Sequence, residues 1–511
     1  MKFTKIFLSI ILSSVMMGCS GSFLDQANPN EKTTTDFWKS ESDLMEGINA
    51  AYRPLRFNGA YSRWLHVLYI SRSDEGYSQS PNSYFVSYSN FKPINDDNSE
   101  GIFYPWLDMY KGVFWANQVI DNAPGISMDE NLKSRIMGEA YFIRGVHLFN
   151  IGGIFGRGPL TLSSLADAKS DIVEQADFYE QARKDFQEAE NRLPAFYEKD
   201  ADIGRATKGS AMGMLAKVYA QQHLWQKVSD MCDSIYALKG AGGTPLYKLV
   251  SNYKDNFTAA NENNSESLFE VQFAYGTQSG IDLGCQRAKF LGLPVDGVSW
   301  DDATPNPILK TDLEQEKTID NQVDPRLKCT LFYFDSSNPN EQFYGKTWTQ
   351  WGLNKSKVYW KKYNNYDTQT YEDYNSGINF RLVRLADIYL LHAEALNELG
   401  RTSEAYPYID KVRARVNMPA LENSTVFTGI GNDQQKMRDQ IMHERVCELT
   451  GECWRWLDLE RWGCFESAEK ISWLKTRDSE FDNFVIGKSN RYPIPYREIS
   501  LIKGLVQNPG Y

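Results

Sequence analysis

The chain has 511 residues, 42% hydrophobic and 24% charged, which is the composition of a folded globular protein and not of a disordered one. Its formal net charge of -11 argues against nucleic acid as the main partner, because phosphate binding needs a basic face. With 13 Trp, 29 Tyr and 27 Phe, it carries many aromatics in stretches full of Asn, Gly, Ser and Asp, where they mark a binding surface more often than a core.

Lys2 and Lys5 precede an apolar run over residues 6–17, too short to span a bilayer as a stable helix. It reads as a secretory signal over residues 1–18. The run ends Gly18-Cys19, a small residue before a cysteine, which resembles a bacterial lipobox with Met16 where Leu is usual. That resemblance implies cleavage before Cys19 and lipidation of its thiol. Residues 19–35 are then a lipidated tether, and no later segment is apolar enough to span a membrane.

Residues 44–55 carry Leu44, Ile48, Ala51 and Leu55 at helical spacing. Residues 72–91 read as irregular, with Tyr77, Tyr84, Phe85, Tyr88 and Phe91 among Ser, Asn and Pro. Helices follow at 106–120, at 131–151 up to Gly152-Gly153, and at 178–193 before Pro194. Residues 208–238 form a helical hairpin whose Ala216, Tyr219, Val228, Cys232 and Ile235 match Ala393, Leu396, Ala405, Ile409 and Val412. Small residues at that spacing resemble a tetratricopeptide helix pair.

Residues 240–380 break the rhythm. They are rich in Gly, Asn and Asp, with strand-like runs at 268–273 and 329–334 and dense aromatics over 343–374. Residues 381–463 interleave Arg, Glu and Asp with Leu and Trp at helical spacing. Glu444 and Glu448, four apart, share a helix face and are the nearest thing to a hydrolytic carboxylate pair. Flanking apolar bulk favours instead Arg–carboxylate pairs that fix helices to one another. His443 lacks a second His four residues on, and no Gly-x-Ser-x-Gly elbow occurs. Catalysis has no positive support, and no cofactor or metal site is expected. Cys447 and Cys453, six apart, are too far apart along one helix for a disulfide and are expected buried and reduced.

Several motifs agree in order and spacing. Phe23-Leu24-Asp25 follows the lipobox, and Asp36-Phe37-Trp38 leads to Asn49-Ala50-Ala51-Tyr52. Phe155-Gly156-Arg157-Gly158-Pro159-Leu160 follows Glu139-Ala140-Tyr141-Phe142-Ile143-Arg144. Arg384-Leu385-Ala386-Asp387 precedes Ala393-Glu394-Ala395-Leu396; Glu444-Arg445 precedes Glu448-Leu449, Gly451-Glu452, Arg455-Trp456 and Asp458-Leu459. Pro493-Ile494-Pro495 and Gln507-Asn508-Pro509-Gly510-Tyr511 close the chain. Together these resemble the SusD/RagB family over essentially the whole length.

The resemblance implies a mainly helical fold with tetratricopeptide-like pairs, long irregular loops and a few short strands. It implies one domain over residues 36–511, with a helical scaffold at 36–240 and 381–511 and loop-rich ligand regions at 72–104 and 240–380. It implies a lipid-anchored outer-membrane protein facing the cell exterior, without catalytic activity. Such a protein binds an oligosaccharide or polysaccharide and works with a SusC-like TonB-dependent transporter. Rival readings are a surface glycosidase or lyase, and a helical-repeat protein-interaction adaptor.

A pyranose offers an apolar C–H face to aromatic planes and hydroxyls to Asp, Asn, Gln and Arg. The candidate glycan contacts are Asp74, Tyr77, Tyr84 and Tyr88 in the first loop region, and Arg287, Trp300, Trp348 and Trp351 in the second. Cys19 is the candidate lipidation site.

Overall fold

A computed structural model of the chain describes residues 37–92, 100–165, 169–278 and 281–511. The signal segment, the tether and Cys19 lie outside the described residues. Ser40 opens the first described helix, α1 (Glu41–Tyr52), with a capping box: its hydroxyl accepts from the Asp43 N–H while Asp43 accepts in return. Leu44, Ile48 and Ala51 face the core from this helix.

Helix α2 (Trp64–Ser71) is buried on every side. Helix α3 (Ser83–Ser89) lies in the stretch expected to be irregular. Phe85 stacks on Trp64 at 5.2 Å, and Tyr88 meets Tyr492 edge-on at 5.7 Å. Two large rings three residues apart on one face outweigh the helix-poor Ser and Asn around them. Two long helices follow, α4 (Glu100–Asn122) and α5 (Glu130–Phe155), then α6 (Gln175–Arg192). Helix α5 stops at Gly156, whose φ of +72° is the left-handed cap that glycine adopts without strain. Gly158 lets the chain pass under Trp106 and Tyr110, because an added Cβ would sit 2.4 Å from the Tyr110 hydroxyl.

The first tetratricopeptide-like pair is α7 (Lys208–Gln221) with α8 (Trp225–Ala237). Three short helices, α9 (Arg287–Leu291), α10 (Ile308–Glu314) and α11 (Pro325–Thr330), punctuate the loop-rich region. The second pair is α12 (Leu385–Glu398) with α13 (Thr402–Arg415). Ala216, Val228, Cys232, Ala393, Ala405 and Ile409 are all fully buried, so the shared spacing does bring helices into close contact. The pairs also touch each other, with the Ser229 hydroxyl 3.0 Å from His392 Nε2. Helices α14 (Gln434–Leu449), α15 (Arg455–Arg461) and α16 (Ala468–Arg477) complete the scaffold.

Every sheet among the described residues is two-stranded. The pair Ser267–Val271 with Phe380–Arg384 leads directly into α12. Residues 325–333, read from sequence as strand from 329, divide into α11 and the strand Leu331–Tyr333, because Asp324 caps a helix that Pro325 starts. The fold is thus mainly helical. The closing Gln-Asn-Pro-Gly-Tyr run is structural: Asn508 donates to the carbonyls of Phe155 and Tyr492 at 2.7 and 2.8 Å. All six described cysteines are free, and all but Cys329 are buried.

The charges of the C-terminal stretch are paired in buried networks. Arg326 donates to Asp324, Glu444 and Glu448 at 2.7, 2.6 and 3.2 Å. Arg384 binds Glu266 at 2.9 Å and both oxygens of Glu452 at 2.8 Å, and it also reaches Glu448. Arg415 joins Glu448 to Glu266, and Arg445 joins Asp458 to Asp387 at 2.7 and 2.9 Å. Burial alone would raise the Glu448 carboxyl, but Arg415, Arg384 and Arg326 overcome it and hold the group well below its ordinary value. Glu444 and Glu448 are therefore charged, fully buried and occupied, with no face free for a sugar.

Candidate functional site: an exposed aromatic platform

Helix α9 carries the platform's floor. Its Arg287 points inward, donating to the Lys362 and Gly451 carbonyls while lying 5.0 Å above the Tyr363 ring. Lys362 in turn binds Glu452 of the charge lattice at 2.9 Å. Phe290, one turn further along α9, is buried beneath the surface rings. Trp300 stands edge-on to Phe290 at 4.9 Å, and Tyr374 stands edge-on to Trp300 at 5.8 Å. Trp300 is 51% exposed and Tyr374 41%. Two large rings thus reach solvent from a floor tied to the core.

Arg63 connects this floor to the first loop region. Its guanidinium sits between two rings, 3.4 Å from the Phe290 centroid and 4.1 Å from that of Trp64. Asp302 approaches it at 3.9 Å. Burial pulls the Arg63 guanidinium below its ordinary value, while Asp302, Tyr84, Glu100 and Tyr374 act against that. Half-buried Tyr84 lies 6.2 Å from the Trp64 ring. The loop itself is held by main chain: the Trp300 and Asp302 amides donate to the Lys289 and Phe290 carbonyls at 3.1 and 2.8 Å. Asp301 between them adopts a left-handed φ of +55° and accepts from the Thr304 hydroxyl at 2.9 Å. Such a residue is costly and persists where surrounding bonds fix it.

Of the candidate contacts, the structure brings Tyr84 and Trp300 to this one surface. It places the others elsewhere. Asp74 is fully buried, clasped by Nε and Nη2 of Arg455 at 2.6 and 2.8 Å and bound by Arg477. Tyr88 and Arg287 are also in the interior. Trp348 is 2% exposed within a small core of Val298, Phe332, Phe343 and Tyr359, and its Nε1 donates to the Leu353 carbonyl at 3.1 Å. Trp351 is half-buried, its Nε1 spent on the Phe343 carbonyl at 2.8 Å and one ring face under Lys346 at 4.2 Å. Tyr77 is half-buried and receives Lys357 at 3.4 Å. Asp74, Tyr88, Arg287 and Trp348 are thus buried among protein groups, while Tyr77 and Trp351 stay half-buried away from the platform. Arg63, Phe290 and Tyr374 were not among the sequence candidates. Tyr374 was visible in the aromatic run over 343–374; nothing in the sequence separates Arg63 from a helix-flanking arginine.

Glu75, next to Asp74, accepts from the Gly451 amide at 3.2 Å. Burial, and then the Asp74 charge, push its carboxyl from an ordinary 4.5 up to about 8. Between those values the folded chain keeps a proton that the unfolded chain releases, so this group lowers stability as pH rises through that window. Urea unfolding at pH 5 and pH 8 should show Glu75→Gln losing less stability on that rise than the parent, by a few kcal/mol. Parallel curves would remove this assignment.

A cavity of 740 Å³ lies between α12, α14, α15 and α16, lined by Trp462, Trp473 and paired charges such as Glu394 with Arg461. It is ionic and helical, unlike the platform. Among the described residues, no helix is long and apolar enough to cross a membrane.

A helical scaffold of paired repeats that holds exposed rings on loops defines a binding protein with a rigid frame and an adaptable face. Comparison with known proteins gives the family. Residues 245–511 match the SusD family model, and residues 22–220 match a model described as starch-binding and associating with the outer membrane. This chain belongs to the SusD family. It is 27% identical to a SusD-like protein from Formosa agariphila, across all of both chains. A SusD superfamily protein from Bacteroides vulgatus superposes with a TM-score of 0.79 at 26% identity, covering 93% of this chain and 100% of that one. A laminarin-binding SusD-like protein superposes with a TM-score of 0.71 at 27% identity, with coverage of 93% and 100%.

Proposed function

We propose that the chain binds an oligosaccharide on the platform of Trp300, Tyr374 and Tyr84, without cleaving it, and passes it to a TonB-dependent outer-membrane barrel. The carrying observation is the exposure of Trp300 and Tyr374 over a floor fixed by Arg63 and Phe290. Exposed rings on a rigid floor offer a sugar its C–H contacts at little ordering cost. Carbohydrate binding in the relatives supports the same reading: one is a laminarin-binding SusD-like protein, another a starch-binding protein from Bacteroides thetaiotaomicron. The carboxylate pair Glu444 and Glu448 is buried in ion pairs, which supports a role without turnover.

The resemblance of Gly18-Cys19 to a lipobox supports a lipid on Cys19 and a tether that holds the domain at the outer membrane, facing the exterior. Affinity falls on the order of micromolar to millimolar, since an open polar ligand is desolvated on capture and must be released again. A panel of immobilised glycans probed with a secreted form beginning after Cys19 tests the reading. Retention of at least one glycan class supports it. Retention of none, with a folded protein, defeats it.

A further inference from the structure

Helix α1 runs directly into Arg53-Pro54-Leu55-Arg56, one turn of tighter helix. Pro54 and Leu55 are buried, so the two arginines flank one cavity of 240 Å³ that Asn49, Tyr52 and Gln272 also line. The other charges on that cavity are already satisfied. Arg205 binds Glu139 and Asp202 at 3.0 and 2.9 Å, and Glu270 lies 3.3 Å from Arg381. Arg53 and Arg56 have no such partner. Among the described residues neither forms an ion pair, and the buried Nε of Arg53 has no hydrogen-bond acceptor. Burial, and then Arg53 itself, pull the Arg56 guanidinium below its ordinary value. Two adjacent cations without counter-charge are unusual in a chain of net charge -11.

Aromatic planes stand beside Arg53, outside the cavity lining. The Arg53 guanidinium lies 5.9 Å over the Trp115 ring, and Trp115 meets Phe57 edge-on at 5.8 Å. Both rings are partly exposed. The cavity has room for a sugar ring but not for a helix, whose diameter is about 10 Å or more.

We infer that Arg53 and Arg56 form a second saccharide site, selective for an acidic sugar unit whose carboxylate or sulfate ester seats on the two guanidinium groups. Guanidinium forks match both oxyanions with paired N–H donors. Tyr52, which lines the cavity, supplies the C–H contact that a free inorganic anion or a lipid phosphate would not use. The inference rests on the glycan-binding reading above but on different residues.

The test is calorimetric titration of the secreted form with three oligosaccharides of equal length: neutral, uronate-containing and sulfated. Inorganic sulfate serves as a competitor. The acidic ligands should bind at least tenfold more tightly than the neutral one at low salt, and lose that advantage at 0.5 M NaCl. Whichever of the two acidic ligands binds names the oxyanion. Arg53→Gln with Arg56→Gln should abolish the preference with neutral binding and unfolding midpoint unchanged. Arg53→Lys with Arg56→Lys should retain part of it. An unchanged preference in the glutamine variant, equal binding of all three ligands, or full displacement by inorganic sulfate at matched concentration overturns the inference while leaving the platform standing. No binding of any saccharide by the parent protein defeats both the platform reading and this inference.

Discussion

Trp300→Ala combined with Tyr374→Ala is expected to weaken oligosaccharide binding about tenfold or more, with the unfolding midpoint unmoved. Each ring stacked on a sugar face contributes about 0.5–1.5 kcal/mol, and 1.4 kcal/mol is about tenfold in affinity. Both side chains are exposed, so their removal costs the fold little, within about 0.5 kcal/mol. The floor survives the change, because Phe290 stays packed under Arg63. Trp348→Ala should behave in the opposite way. That ring is buried among Phe332, Phe343 and Tyr359, so its loss empties part of a core and costs about 3–5 kcal/mol. Binding by titration and unfolding by denaturant, measured on both variants, separate the two roles. A Trp300/Tyr374 variant that binds as the parent does would move the site elsewhere.

Glu448→Gln should be among the most damaging single changes available. One carboxylate neutralises Arg326, Arg384 and Arg415 at once, all of them buried. Removing one partner from a buried ion pair costs about 3–5 kcal/mol, because the remaining charge is stranded. Here three guanidinium groups lose part of their compensation, two keeping Glu266 and one keeping Glu444 and Asp324. The group's depressed pKa also sets the sign of its acid response. Its contribution is complete above the ordinary carboxylate range and is lost only as pH falls through the lower folded-state value. Guanidinium unfolding at neutral pH gives the magnitude. A loss below about 1 kcal/mol would mean that the lattice does not hold the scaffold together.

The lattice also explains how much of the molecule was readable beforehand. Helix pairs repeat their small residues locally, so Ala216 with Val228 and Ala393 with Ala405 announce the packing within one short stretch. The Arg–Glu–Asp stretch shows its apolar flanks for the same reason. Asp74 gives no such notice. Its partners Arg455 and Arg477 are 381 and 403 residues away, and a loop aspartate looks like a ligand contact until the chain has folded over it. Aromatics fail for a related reason. Trp300 and Trp348 sit in equally polar sequence, yet one is 51% exposed and the other 2%. The side on which a ring lands depends on long-range packing, which composition does not encode. Arg287, a sugar contact by its sequence setting, anchors α9 beneath the platform, one step removed from the surface.

The central claim is capture without cleavage on the platform. Its most direct measurement combines calorimetric titration of a glycan that the protein retains with chromatography of the saccharide recovered from the same cell. Saturable binding, recovery of the saccharide at its original length, and loss of the heat signal in the Trp300→Ala/Tyr374→Ala protein are the expected results. Shortened products that disappear on substitution of a single carboxylate, or a heat signal indifferent to both rings, would contradict it.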